Sequence, residues 1–136
     1  MRIAFGTDEP TPLTEAIKQL LADGGHAVVE AAAEGAPWPD VGQAVGEAVV
    51  GDSAEVGVVC CWTGTGVSIA ANKVPGVRAA LCTDAETARG ARRWNDANVL
   101  AMSLRLVSAE VAAEMISAFL DTEPDPDESP QIAKLA

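Results

Sequence analysis

One stretch constrains this chain more than any other. The apolar run Val56–Cys61 is followed by Trp62-Thr63-Gly64-Thr65-Gly66 and then by the small-residue segment Val67–Ala71. Six consecutive apolar residues ending at a turn signal read as a strand buried on both faces, the pattern of a parallel sheet. A strand, a glycine turn and a helix N-terminus together aim several backbone N–H groups in one direction, which favours an anion or an oxyanion. Cys61 occupies the last strand position before that turn, the edge where α/β proteins place chemistry. A thiol beside such a positive cradle is a candidate acid/base or nucleophile. The turn alone says less. It lacks the third glycine of a dinucleotide fingerprint and the Gly-Lys-Ser/Thr of a nucleotide loop, and it equally fits a plain strand-to-helix turn.

The rest of the chain repeats the same unit. Arg2 to Thr7 reads as a first strand, and Pro12 opens a helix with an apolar stripe at Leu13, Ile17, Leu20 and Leu21 that ends at Gly24-Gly25. Ala27 to Glu30 follows as a second strand. The proline-broken Ala31 to Pro39 reads as a loop, and Asp40 as the cap of a helix from about Val41 to Val50. After the central stretch come a strand at Val77 to Cys82 and a helix capped by Thr83 or Asp84 that runs to about Arg93. A strand at Val99 to Met102 and a helix from Ser108 to Leu120 complete the series. Strands alternate with helices five times. The expected fold is therefore α/β, a three-layer α/β/α Rossmann-like domain over residues 1–121, with a five-stranded parallel sheet and helices on both faces. Residues 122–136 form an acidic, proline-rich C-terminal tail expected to be extended and weakly ordered.

Charge narrows the partners. Twenty acidic against nine basic residues give a net charge of −11. That field opposes nucleic acid and anionic membranes, and no basic cluster overrides it. No apolar run reaches the roughly 18 residues of a membrane span, and the N-terminus lacks a signal-peptide layout, so a cytoplasmic protein is the default expectation. Cys60, Cys61 and Cys82 have no metal-ligand spacing, and neighbours on a strand point to opposite faces, so reduced thiols are expected. No metal or cofactor is implied.

The carboxyl ends of the strands gather Asp8 and Cys61 at one crevice, and Asn95, Asp96 and Asn98 are further candidates there. Each also has a plainer role: Cys61 as a small buried hydrophobe, Asp8 as a turn or cap residue, and the asparagines as turn formers. His26, the one histidine, starts a strand away from that edge, which removes most Ser-His and Cys-His schemes.

At these residues the sequence resembles the ribose-5-phosphate isomerase B / galactose-6-phosphate isomerase family. The likeness runs to about Glu123 and is densest from Gly57 through Cys82, at Asp84 to Arg89, and at Asn95-Asp96-Ala97-Asn98-Val99-Leu100-Ala101. The resemblance implies metal-independent aldose–ketose isomerisation of a sugar phosphate through an enediolate. It makes Cys61 the base and Thr63 the hydroxyl beside it. Gly64, Thr65 and Gly66 become the oxyanion turn, Asp8 and Asn95 the contacts to sugar hydroxyls, and Arg105 a phosphate-binding arginine. It also implies active sites shared between two subunits, hence a homodimer that can assemble further into a tetramer.

The departures carry information too. Where the family has a histidine after Asp8, this chain has Glu9. The family's ring-opening histidine is Trp94, and the glycine after its cysteine is Trp62. The C-terminal phosphate-closing Arg-His-x-x-Arg segment is replaced by Glu128-Ser129-Pro130-Gln131. An alternative glutamate base of one branch would fall at Val67. A phosphate dianion needs several charge-assisted donors, each contributing about 1.5–3 kcal/mol, so its grip is expected to weaken. A short or open-chain sugar or sugar phosphate would not need the ring-opening imidazole, and Trp62 and Trp94 would wall its pocket. The alternative expectation is a non-catalytic sugar-binding protein or subunit on the same fold.

Overall fold

The computed structural model describes residues 1–135. Its strands are β1 (Arg2–Thr7), β2 (Ala27–Glu30), β3 (Val56–Cys61), β4 (Ala79–Leu81) and β5 (Val99–Ser103). Its helices are α1 (Pro12–Asp23), α2 (Trp38–Val50), α3 (Thr65–Asn72), α4 (Ala85–Asn95), α5 (Ala109–Leu120) and the short α6 (Ser129–Ile132). All strand pairs are parallel, in the order β2-β1-β3-β5-β4. The three-layer α/β/α expectation holds.

Alternation along the strands builds two cores. Ile3, Phe5, Val58, Cys60, Leu100 and Met102 pack with α1, α4 and α5, while Ala4, Val59, Cys61, Val99 and Ala101 pack with α2 and α3. The neighbouring thiols of Cys60 and Cys61 thus belong to opposite faces, as period-2 geometry requires. Among the described residues no helix is long and apolar enough to cross a membrane.

Three local expectations need correction. Helix α2 starts at Trp38, not Val41: Pro37 is its N-cap with no side-chain cap, and Asp40 lies in the first turn rather than capping it. Proline near the start of a helix is tolerated because first-turn N–H groups have no intrahelical partner, and Asp40 there complements the helix dipole. Strand β4 is shorter than Val77–Cys82 because the Arg78 N–H donates to Asn98 Oδ1 (2.7 Å) instead of joining a ladder. The acidic tail is not extended. It forms helical turns at Pro126–Glu128, Ser129–Ile132 and Ala133–Leu135. Arg92 fastens its root, donating to the Thr122 carbonyl (3.2 Å) and lying 5.4 Å from the Phe119 ring centre, while the Asp125 N–H donates to the Arg93 carbonyl (2.8 Å).

Candidate active site

The strand order reverses between β1 and β3, because α1 carries the chain to β2 on one side and α2 returns it to β3 on the other. Ligand crevices of open α/β sheets sit at such a point, beyond the carboxyl ends of the strands. Thr7 pairs with Cys60 across β1 and β3, so Asp8 emerges beside Cys61. Asp8 continues the series Ala4, Gly6, Asp8 on the same sheet face as Cys61.

The turn after Cys61 is held by its neighbours. The Leu104 N–H donates to the Cys61 carbonyl (3.0 Å) and the Arg105 N–H to the Trp62 carbonyl (3.0 Å). Ser103 Oγ donates to the same Trp62 carbonyl (2.9 Å) and accepts from the Leu106 N–H (3.2 Å). Thr63 Oγ1 and Thr65 Oγ1 are 2.7 Å apart. Gly64 caps α3 with φ +76°, and a Cβ there would stand 2.9 Å from the Met102 carbonyl carbon. Both the left-handed backbone and the space exclude a side chain. The first turn of α3 therefore opens beside Cys61 with its N–H groups free of a side-chain cap.

Cys61 is buried but at the site's margin, 5% exposed, whereas Cys60 is wholly enclosed. Burial, with the charges of Cys61 and Asp8 nearby, pushes the Cys60 thiol up to about 12, and burial, aided by the charge of Asp84, pushes Cys82 up to about 11. Neither thiol is a usable base at neutral pH. The Asp8 carboxyl is raised above its ordinary value, first by burial and then by the negative charge of Glu9, and its Oδ1 is buried with no hydrogen-bond partner. An acceptor at this edge left without a protein donor is a candidate partner for a sugar hydroxyl. Thr7 shapes the turn that presents it: Thr7 Oγ1 donates to the Glu9 carbonyl (2.9 Å) and accepts from the Glu9 N–H (3.2 Å).

Asp8, Glu9, Cys61, Trp62, Thr63, Gly64, Thr65, Gly66 and Arg105 therefore meet at one edge. Glu9, Trp62 and Arg105 are exposed there, and among the described residues the Arg105 guanidinium makes no ion pair. Trp94 and Asn95 do not join them within one chain. They end α4, which runs back from the carboxyl edge at Asp84 to the amino edge of the sheet, about 16 Å at 1.5 Å per residue. Asp96 and Asn98, expected as further candidates at the crevice of Asp8 and Cys61, lie instead at the amino edge. Asp96 pairs with Arg78 and Arg92, and Asn98 closes the turn before β4 through Arg78 and Gly76. His26 is half-buried, its Nδ1 3.1 Å from the Met1 amine at the amino edge, away from Cys61 as expected. Among the described residues no group of three or more His, Cys, Asp or Glu is arranged to hold a metal ion.

Thr7, Ser103 and Trp38 are site elements that the sequence did not single out. The Trp38 ring lies over Gly66, where a Cβ would be 2.9 Å from its Cε3.

The chain matches the family model described as Ribose/Galactose Isomerase over residues 3–135. It is 36% identical over 128 residues to a D-erythrulose-4-phosphate isomerase of Pectobacterium atrosepticum, covering 90% of this chain and 84% of that protein. It is 36% identical over 126 residues to ribose-5-phosphate isomerase B of Escherichia coli, covering 90% and 85%. The solved ribose-5-phosphate isomerase B of Clostridium thermocellum superposes with a TM-score of 0.93 at 36% identity, covering 99% of this chain and 95% of that one.

Proposed function

The chain belongs to the ribose/galactose isomerase family and is a sugar-phosphate isomerase, and from that premise we propose that it interconverts a short, open-chain aldose phosphate and its ketose with Cys61 as base. One observation carries this reading: Cys61 and Asp8 emerge side by side at the switch point, against the uncapped first turn of α3. The Cys61 thiolate removes the proton from the carbon next to the carbonyl and returns it to the neighbouring carbon. The carbonyl oxygen that becomes negative in the enediolate is met by N–H groups of the Gly64-Thr65-Gly66 turn. Thr63 supports that oxygen or its proton, and the free Asp8 Oδ1 accepts from a substrate hydroxyl. No step calls on a metal.

Trp94 stands in place of the ring-opening histidine, so the substrate should need no ring opening. A four-carbon sugar phosphorylated on its terminal oxygen meets that condition, because it has no hydroxyl left to close a five-membered ring. Similarity to a D-erythrulose-4-phosphate isomerase supports the same class. The phosphate would rest on Arg105, with fewer cations than the family pattern supplies. Because Trp94 and Asn95 lie at the far edge of the sheet, they reach Cys61 only from a second copy, and the active unit is a homodimer or a tetramer of such dimers.

Deuterium exchange at C2, followed by NMR across a substrate panel, tests the reading. D-erythrose 4-phosphate should exceed D-ribose 5-phosphate in kcat/KM by about tenfold or more, a difference of about 1.4 kcal/mol in transition-state binding. Preference for the pentose phosphate would overturn the open-chain assignment. No exchange with any aldose or ketose phosphate would favour a non-catalytic subunit.

A further inference from the structure

The three tryptophans of this chain are all substantially exposed, Trp38 at 45%, Trp62 at 55% and Trp94 at 52%. Only Trp38 is exposed while seated on the backbone of the catalytic turn. It opens α2, and Val41 and Val45 follow it at i+3 and i+7 with no exposure at all. Trp38 therefore continues the core-facing stripe of α2, one turn beyond the last residue the core can cover. Its ring reaches past the carboxyl ends of the strands and comes to rest on Gly66. A Cβ on residue 66 would lie 2.9, 3.0 and 3.3 Å from the indole Cε3, Cδ2 and Cζ3. The missing side chain at Gly66 is thus the seat of the ring. Cys61 packs into the same layer, with Val41, Val45 and Val67.

We propose that Trp38 is a specificity-determining residue of the Cys61 site, an indole wall that shields the thiol and packs along the carbon chain of a short substrate. The proposal rests on the reading of Cys61 as the reacting group. An aromatic face is rigid and apolar, and it offers contact area at little entropic cost where a few polar groups fix orientation. Asp8, the glycine turn and Arg105 supply those polar groups. Standing on the first turn of α3, the ring limits the room available to a longer or cyclic sugar and favours the open chain.

The wall is testable without turnover. Iodoacetamide alkylates a thiolate by displacing iodide, and Cys60 and Cys82, both fully buried, serve as unreactive internal controls. Trp38→Ala should speed alkylation of Cys61, located by mass spectrometry, by about tenfold, while Trp38→Phe, which keeps a ring, should stay within about threefold. In the same Trp38→Ala protein KM for D-erythrose 4-phosphate should rise more than kcat falls, as for loss of a binding wall. If Trp38→Ala does not fold, Gly66→Ala pushes the ring off its seat and should give the same acceleration of alkylation. A folded Trp38→Ala protein, shown by its melting curve, with an unchanged alkylation rate at Cys61 overturns the proposal. Retained isomerase activity in Cys61→Ala would instead refute the base assignment and leave the alkylation result standing.

Discussion

The two edges of the sheet are built on different plans. At the carboxyl edge, β3 and β5 end in register and β1 ends one residue short of them. The exit of β5 hydrogen-bonds back to Cys61 and Trp62, and the N-termini of α2 and α3 converge on the same crevice. At the amino edge, polar side chains tie turns together. Asn98 and Asp96 hold Arg78, and Arg92 reaches Asp96, the Ala97 carbonyl and the tail. Among the described residues, the first edge leaves the Asp8 Oδ1 acceptor unpartnered and the start of α3 without a side-chain cap. The second spends many of its polar groups on itself, and it also carries the exposed Trp94 and Asn95. On the proposed reading, a single chain carries the Cys61 half of a site at one edge and two candidate contacts at the other. Two-fold assembly, in which each subunit offers both edges to its partner, is the simplest way to unite them.

Complementation between subunits breaks or secures that reading most sharply. Cys61→Ala and Asn95→Ala should each lower kcat/KM, Cys61→Ala by about 10³-fold or more for loss of the proton-transfer group. Mixed and reassembled, the two inactive proteins should regain about a quarter of wild-type activity, since half of random dimers hold one intact site of their two. No recovery would place Asn95 outside the site. Cys60→Ala sharpens the contrast between adjacent residues. It should leave activity near wild type while costing about 1 kcal/mol of stability from the cavity left in the α1/α4/α5 core.

Much of this was legible because periodic patterns report burial directly. The run Val56–Cys61 reads as a buried strand, and Pro12, Asp84 and Ser108 announce their helices by helix-start chemistry. The start of α2 was obscured by Pro37-Trp38-Pro39, which reads as a broken loop although both prolines sit where a helix start accepts them. That misreading also hid Trp38, whose only signal was its spacing from Val41 and Val45. The tail was misread because its order comes from distant partners, the Arg92 side chain and the Arg93 carbonyl, which local composition does not show. The placement of Asn95 was in principle readable, since the residues between a helix and the next parallel strand always lie at the amino edge. The likeness to a shared-site family named the contacts without saying which subunit supplies each.

Asp8 offers a smaller, pH-dependent test of how unfinished the carboxyl edge is. Its folded carboxyl sits above the ordinary 3.8, so the native state holds its proton more tightly than the unfolded chain does. Stability contributed by this group is then lost as pH rises from the ordinary carboxylate value through the raised one. At neutral pH the partly buried charge beside Glu9 is a net cost. Asp8→Asn should melt at a higher temperature than wild type at pH 7, with the difference shrinking as pH falls below 4, where the wild-type carboxyl is protonated in both states. Substrate KM should move the other way, upward, because the amide replaces a charged acceptor. A variant no more stable at pH 7 than wild type would mean that Oδ1 finds a donor in the assembled protein.

The smallest effect is expected at Lys18, which ties the loop between β2 and α2 to the body of the domain. Its ammonium meets Glu15 on α1 at 3.0 Å, Glu30 at the end of β2 at 3.1 Å, and Glu34 in the loop. These carboxylates raise its pKa further and keep it charged throughout the working range. The loop that Glu34 belongs to donates from the Gly35 N–H to the Thr7 carbonyl (3.3 Å) and leads directly into Trp38. Lys18→Met leaves three carboxylates facing one another, yet all are solvent-accessible, so the loss of stability should be about 1 kcal/mol or less. Added salt should erase most of that loss, because the Debye length falls to about 3 Å at 1 M. The loop's bond to Thr7 places any functional consequence at the carboxyl edge alone. KM should rise modestly at low salt and recover at high salt, while complementation between Cys61→Ala and Asn95→Ala subunits is unaffected. A salt-independent loss of stability would instead mean that the Lys18 side chain, only 21% exposed, contributes through packing of its aliphatic stem rather than through charge.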